Sequence, residues 1–231
     1  CIFLSLIFSV ALVAPAENAQ DFLREARILY LPFDGSFDAA EAGGRAEADV
    51  KGNPTFVEGK KGQAASFTDL ANVQLEAEGN FDQAEGAVAM WIQPYWPNDD
   101  GVPHCFLEVP VGPELFTDGG FVITKGWSTG VMPNLSYFYN SPGHYHMSGG
   151  QSFEANEWVH LVYNWSASAK RLQLFWNGEL IQKQKYEKFK LPPSSTGRTI
   201  VVGARFGGTS IAETDKGEFY GHLPRAFPGV G

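Results

Sequence analysis

Short stretches in which apolar and polar residues alternate recur along this chain, and they constrain the fold more than any other feature. The clearest covers residues 87–93 (AVAMWIQ), which places three apolar side chains on one face of an extended segment and Trp91 on the other. Glycine and proline separate these stretches, and Asn177-Gly178 between two apolar runs predicts a β-hairpin. We expect about ten strands and no helix after residue 16, in an all-β, two-sheet antiparallel β-sandwich.

Composition agrees with one large β-domain and limits the partners. The chain has 231 residues, of which 14% are aromatic, together with 26 glycines and 14 prolines for turns. Its formal net charge of -9 repels phosphate backbones and anionic lipid, so neither nucleic acid nor a membrane surface is an expected partner.

The beginning of the chain predicts secretion. Residues 2–13 (IFLSLIFSVALV) form an apolar run as long as the core of a signal peptide, and small residues follow at 14–16. We therefore predict a signal peptide over residues 1–16 and an extracellular or periplasmic protein, with an uncleaved anchor helix as the alternative. Because Cys1 stands where an initiator methionine is expected, we also expect residues to be missing before it. Cys105 is then the lone cysteine of the mature chain, and its apolar neighbours predict burial.

Five motifs in a fixed order carry a family resemblance. They are Phe33-Asp34-Gly35 after the first strand, residues 59–67 (GKKGQAASF), 88–94 (VAMWIQP), 156–161 (NEWVHL) and 174–178 (LFWNG). In this order they resemble the laminin-G-like jelly-roll superfamily, which includes the concanavalin A-like lectins and glucanases. The resemblance implies a jelly-roll sandwich in which Trp91 and Trp158 are buried. It says little about function, because this fold serves lectins, glycosidases and adhesion domains.

The resemblance ends before the chain does. Residues 219–223 (FYGHL) are similar to the start of the closing strand of the family, but the alternating stretch expected next is absent and 224–228 (PRAFP) cannot continue a central strand. We predict a laminin-G-like domain over 22–223 and an irregular, truncated tail over 224–231. One sheet would then lack its final strand, and the chain would be one domain of a longer protein.

Two patterns raise the alternative of an enzyme. Residues 126–130 (GWSTG) match G-x-S-x-G, yet no helix follows as a nucleophile elbow requires. Glu213, Asp215 and Glu218 match the spacing of paired carboxylates in some glycosidases of this fold, but the residues between them are typical of a turn. We expect a protein that is not an enzyme, with a glycoside hydrolase as the alternative.

Loop aromatics suggest a binding role. Trp96, Trp127, Tyr139 and Tyr145 lie in loops or near strand ends, where rings could stack on a sugar; packing beneath long loops is the competing interpretation. The leading hypothesis is a secreted, non-catalytic binding module for a polysaccharide or glycoprotein. A purely structural adhesion domain is a further alternative.

Metal binding has one candidate residue. The resemblance implies a structural Ca²⁺ near the end of the first strand, where Asp34 stands, although Asp34-Gly35 also suits a plain turn. His144 and His146 fall on one face of an extended segment, but no third zinc ligand is spaced nearby. No other cofactor is expected.

Overall fold

A computed structural model of the protein describes residues 2–7, 26–68, 71–100, 104–110, 120–125, 134–140, 143–148, 152–185 and 196–203. Every regular element in these ranges is a β-strand, and every strand pair is antiparallel, which confirms the all-β prediction. No helix in the described ranges has the length and apolarity needed to cross a membrane.

The strands form two sheets. The nine-stranded sheet comprises β1 (Ile2–Ile7), β2 (Arg27–Leu31), β3 (Glu41–Ala42), β5 (Thr55–Glu58), β6 (Gln63–Ser66), β8 (Glu85–Ile92), β13 (Val159–Ser166), β14 (Arg171–Trp176) and β15 (Glu179–Lys185). Its main order is β15-β14-β13-β8-β1-β2-β3, and β6 pairs with both β1 and β5. The seven-stranded sheet comprises β4 (Asp49–Lys51), β7 (Asn72–Glu76), β9 (His104–Val109), β10 (Phe121–Lys125), β11 (Asn134–Asn140), β12 (Gly143–Ser148) and β16 (Thr199–Val202). Its order is β12-β11-β10-β9-β16-β7-β4.

The core lies where inward-facing residues of both sheets meet. Strand β13 shows the pattern most clearly, because its residues alternate between buried and half-buried along its whole length. Met90, Leu161 and Leu174 are at most 1% exposed and belong to one apolar cluster. Leu161 pairs directly with Met90. The inward-facing positions of β13 therefore lie beside those of β8, although the two strands are distant in sequence. Cys105 is also buried, as predicted.

One end of the core, which we call the ring end, is closed by aromatic rings. The ring centroid of Trp165 lies 5.4 Å from that of Phe81 and 5.2 Å from that of Phe121. Gly86 makes room for this packing, because a Cβ atom there would lie 2.7 Å from the Trp165 ring.

The predicted hairpin at Asn177-Gly178 is confirmed. Both residues have positive φ angles, 48° and 88°, as expected for the two-residue turn that joins twisted antiparallel strands. The turn connects β14 to β15, and the Asn177 side chain accepts a hydrogen bond from the backbone N–H of His160 at 2.8 Å. The sequence motif therefore fixes both the hairpin and its attachment to β13.

Some expectations differ from the structure. Trp91 is half-buried on the outer face of the larger sheet rather than in the core, because the inward positions of β8 go to its neighbours Met90 and Ile92. Trp158, also expected to be buried, is half-buried and precedes the first core residue of β13, Val159. Gly43-Gly44 in the stretch 38–53 predicts a loop. The structure instead has the short strands β3 and β4 there, which are too brief to leave an alternation signal.

Residues 2–7 of the predicted signal peptide form β1, which lies between β2 and β8. Cleavage after residue 16 stays a prediction. The predicted domain bounds of 22–223, the predicted loss of the final strand and the predicted irregular tail stay predictions as well, because residues 204–231 lie outside the described ranges.

Candidate functional site

The second end of the core holds charged groups, and we call it the charged end. It consists of Trp96, Asp100, His104 and Lys125. Asp100 accepts hydrogen bonds from the Lys125 ammonium group and, at 2.7 Å, shares one with His104 Nε2. The Trp96 ring lies parallel to the His104 ring at a centroid distance of 3.5 Å, and Lys125 Nζ lies 5.3 Å from the Trp96 centroid.

Burial shows what these contacts do. The Lys125 side chain is only 2% exposed, so its charge depends on partners inside the protein. Trp96 also packs against the rings of Phe106 and Phe153. Trp96, which the sequence offers as a ligand-stacking residue, is therefore engaged in closing one end of the core.

A second set of residues lies on the outer face of the smaller sheet. Phe121 and Ile123 point into the core, so Val122 between them faces away from it. Val122 pairs with Glu108 on one side and with Tyr137 on the other. Directly paired residues of antiparallel strands share a face. The positions of Glu108 and Tyr137 therefore also lie on the outer face of the sheet.

The complete row crosses all seven strands of the sheet, and we call it the outer row. In strand order it contains His146, Tyr137, Val122, Glu108, Val201, Gln74 and Asp49. Glu108 and Val201 are at most 3% exposed, whereas Gln74 is half-buried. The middle of the outer face is thus covered, and a ligand would have to bind toward its margins.

The β11–β12 margin concentrates ring-bearing residues. Tyr137 pairs with His146, and Tyr139, two positions along β11, pairs with His144. These four residues, which we call the ring array, occupy a two-by-two block of register positions on the outer face, and β12 is the edge strand of its sheet. Neighbouring positions are separated by roughly 5 Å across the strands and 7 Å along them.

The structure separates the other predicted ligand residues. Tyr145 pairs with Phe138, which pairs with the core residue Phe121, so its register position belongs to the opposite face from that of Tyr139. Trp127 lies outside the described residues, as do residues 126–133 around it.

Sequence reasoning missed Tyr137 as a binding residue and considered His144 and His146 only as zinc ligands. The signal was present, since alternate positions in 135–139 (LSYFY) and 143–147 (GHYHM) carry these rings. What the sequence lacks is the register that places the two segments side by side.

Asp34, the predicted calcium residue, lies on an exposed turn. Its Oδ1 accepts a hydrogen bond from the backbone N–H of Gln63 at 3.1 Å, and its carboxylate covers Gly62, whose φ of 64° favours glycine. This links the end of β2 to the β5–β6 hairpin. Within the described ranges no group of three or more acidic, histidine or cysteine side chains is placed to hold a metal ion. Calcium binding stays a prediction.

Other carboxylates of the described residues also have local partners. Glu41 forms a two-point pair with Arg27. Glu85 accepts hydrogen bonds from Ser168 and Ser166, which lower its pKa, with Ser168 the larger cause. The predicted acidic set at residues 213–218 lies outside the described ranges.

Comparison with known proteins identifies the family. The family model of the concanavalin A-like lectin/glucanases superfamily matches residues 67–217, which is more than half of the chain. The chain belongs to this superfamily. The match confirms the resemblance and the jelly-roll sandwich predicted from the motifs. No curated protein matches the sequence.

Solved structures that are similar to this chain include domains determined with bound oligosaccharides. Domain 4 of AbnA, a GH43 extracellular arabinanase from Geobacillus stearothermophilus solved with arabinotriose, is 14% identical; the match covers 74% of this chain and 79% of that domain, with a TM-score of 0.53. The CBM40 module of the Ruminococcus gnavus IT-sialidase, solved with α2,3 sialyllactose, is 19% identical; that match covers 58% of this chain and 72% of the module, with a TM-score of 0.44. At 14% identity, the likeness to the arabinanase domain concerns the fold alone.

Proposed function

We propose that the protein is a secreted, non-catalytic carbohydrate-binding module that holds an oligosaccharide against the ring array. The observation that carries the proposal is the two-by-two block formed by Tyr137, Tyr139, His144 and His146 at one margin of the outer face. Membership of a superfamily of lectins and glucanases supports a carbohydrate as the ligand class.

The chemistry of the array suits a sugar. Aromatic residues provide flat apolar surface together with a polar tip, and a sugar ring has an apolar C–H face bordered by hydroxyl groups. Tyrosine hydroxyls donate and accept hydrogen bonds, and a neutral imidazole does both through its two nitrogens. A surface that combines ring faces with a few polar atoms can therefore bind and orient a saccharide.

The engaged carboxylates favour binding over cleavage. A retaining glycosidase needs two carboxyl groups about 5–5.5 Å apart in an accessible groove. In the part of the chain that the structure describes, Glu41, Glu85 and Asp100 each have cationic or hydroxyl partners that hold local structure together. Their engagement supports a module that binds without reacting.

The choice of ligand follows from charge and from the relatives. A formal net charge of -9 disfavours polyanionic glycans, so we propose neutral oligosaccharides. The arabinanase domain was solved with arabinotriose, which makes arabino-oligosaccharides the first ligands to examine. The arabinanase to which this domain is similar is extracellular, which supports a secreted protein.

A glycan array probed with the full chain tests the proposal. Binding to one class of neutral oligosaccharide is expected, and the double variant Tyr137→Ala/Tyr139→Ala should weaken it by at least about tenfold. Tyr30→Ala is the matched control, because Tyr30 lies on the outer face of the other sheet and carries the same ring. The control should stay within about twofold of the unchanged protein. Loss in both variants, or in neither, would refute the ring array as the binding surface.

A separate measurement addresses catalysis. The full chain is incubated with the polysaccharide that it binds, and new reducing ends are counted over a day. We expect none above the rate without protein. Steady release of reducing ends would overturn the non-catalytic proposal in favour of a glycoside hydrolase.

A further inference from the structure

Strand β1 occupies an unusual place in the larger sheet. It lies between β2 and β8, and the sheet order gives no direct pairing between those two strands. Neighbouring strands lie about 4.8 Å apart, so β2 and β8 are separated by twice that spacing. This separation forms a slot the width of one strand, which we call the β2/β8 slot.

The slot has hydrogen-bonding partners on both sides. From Leu4 to Leu6, every residue of β1 pairs both with a residue of β2 and with one of β8. Without an occupant, two rows of backbone N–H and C=O groups in the middle of a sheet would lose their partners. The slot therefore demands an extended segment that is antiparallel to both neighbours.

The slot also selects for an apolar pattern. Leu4 is in register with Leu31 and Met90, both of which are at most 1% exposed in the core. Leu6 is in register with Leu29 and Val88, which are buried to the same extent. The core-facing register positions of the occupant thus need apolar residues.

The remaining positions of β1 follow the same alternation. Ile2 is in register with Ile92, a further core residue. Ser5, the polar residue of IFLSLI, is in register with Tyr30 and Ala89, which alternate with core residues and face outward. Alternate residues of Ile2–Leu6 are thus apolar at each register position that faces the core, as the slot requires.

We propose that the β2/β8 slot is a strand-acceptor site and that Ile2–Ile7 is its resident strand, retained in the folded protein instead of being lost with a cleaved leader. The same apolar run that suggests a signal peptide thereby completes the larger sheet. This inference is independent of carbohydrate binding, because the slot and the ring array lie in different sheets.

Hydrogen exchange on the full chain tests the strand directly. Amides of residues 2–7 should exchange at least about a hundredfold more slowly than those of an unstructured peptide. The amides of β8 should be protected to a similar extent. If they exchange at the unstructured rate while β8 remains protected, the slot is not filled by this segment and the proposal is wrong.

Two adjacent substitutions provide the matched comparison, in protein produced in the cytoplasm so that export plays no part. Leu4→Asp places a carboxylate at a core-facing position and should lower the melting temperature by about 10 °C or more. Phe3→Asp changes the neighbouring outward position, in register with Trp91, and Lys60 Nζ lies 5.1 Å from the Trp91 ring centroid. It should shift the melting temperature by less than about 3 °C. Equal shifts would refute the proposal, and if Leu4→Asp does not fold, the exchange experiment decides alone.

Export tests retention. When the full chain is produced in a secreting host, the N-terminal sequence of the folded product should still include residues 2–7. A folded product that begins after residue 16 and keeps the protection of β8 would overturn the proposal.

Discussion

The two ends of the core are closed in different ways. At the ring end, the packed rings of Phe81, Phe121 and Trp165 fill the space between the sheets. At the charged end, Trp96 shares that task with the buried ammonium group of Lys125. The comparison shows that the two ends of one sandwich can be closed in different ways. The ring end is destabilised when side-chain volume is lost, and the charged end is destabilised when a buried charge loses its partner.

The largest effect is expected at the ring end. Trp165→Ala should lower the free energy of unfolding by about 4 kcal/mol, because it removes a buried ring that three other rings contact. Urea denaturation measures the loss. Phe175→Ala, on the half-exposed outer side of β14, is the control and should cost no more than about 1.5 kcal/mol. Similar losses of stability in both variants would show that the packed rings of the ring end contribute no more than a ring on the outer face of β14.

At the charged end the expected loss is somewhat smaller. Asp100→Asn should cost about 3 kcal/mol, since the Lys125 charge remains buried after its carboxylate partner is removed. Adding Lys125→Met to this variant should recover part of the loss, because the buried charge itself is then gone. A double variant less stable than Asp100→Asn alone, by urea denaturation, would contradict this account of the charged end.

A smaller change sharpens the account of the ring end. Gly86→Ala should cost about 2 kcal/mol, because the new methyl group meets the Trp165 ring. In the background of Trp165→Phe the same substitution should cost less, since the smaller ring leaves space. Thermal or urea unfolding of the four proteins gives the coupling between the two sites, and strictly additive losses would show that the contact does not matter.

The smallest effect concerns His160, on the outer face, which stacks on Trp91 with ring centroids 4.7 Å apart. Burial lowers the pKa of His160 from its usual 6.5, so the unfolded chain binds more protons than the folded chain as the pH falls below that value. Stability should therefore decrease on acidification below about pH 6.5 and be unaffected by this group above it. His160→Gln should flatten that part of the stability profile. An unchanged profile would exclude His160 as the source of the acid response.

The core could be predicted from the sequence because its signal is local. Alternation in 87–93 and 158–165 fixes which residues face inward without any knowledge of partners. The resemblance nevertheless led to a wrong expectation for Trp91, whose position in β8 is outward. Alternation within the strand was the better guide there.

The candidate site could be predicted only in part because it depends on pairing between segments. Tyr139 was identified as a ligand residue, but its neighbours in the array follow from the register of β11 with β12. Likewise, Trp96 packs against Phe153, which lies 57 positions later in the chain. Residue type suggests such groupings, and only strand register decides them.

The Asn177-Gly178 turn offers a practical use. A Cβ atom at Gly178 would meet nothing within 4 Å, so the tip of this hairpin projects into open space. It joins two strands of the larger sheet, whereas the ring array belongs to the smaller one. An affinity handle inserted at this tip would anchor the protein to a sensor chip while leaving the opposite sheet free for analytes.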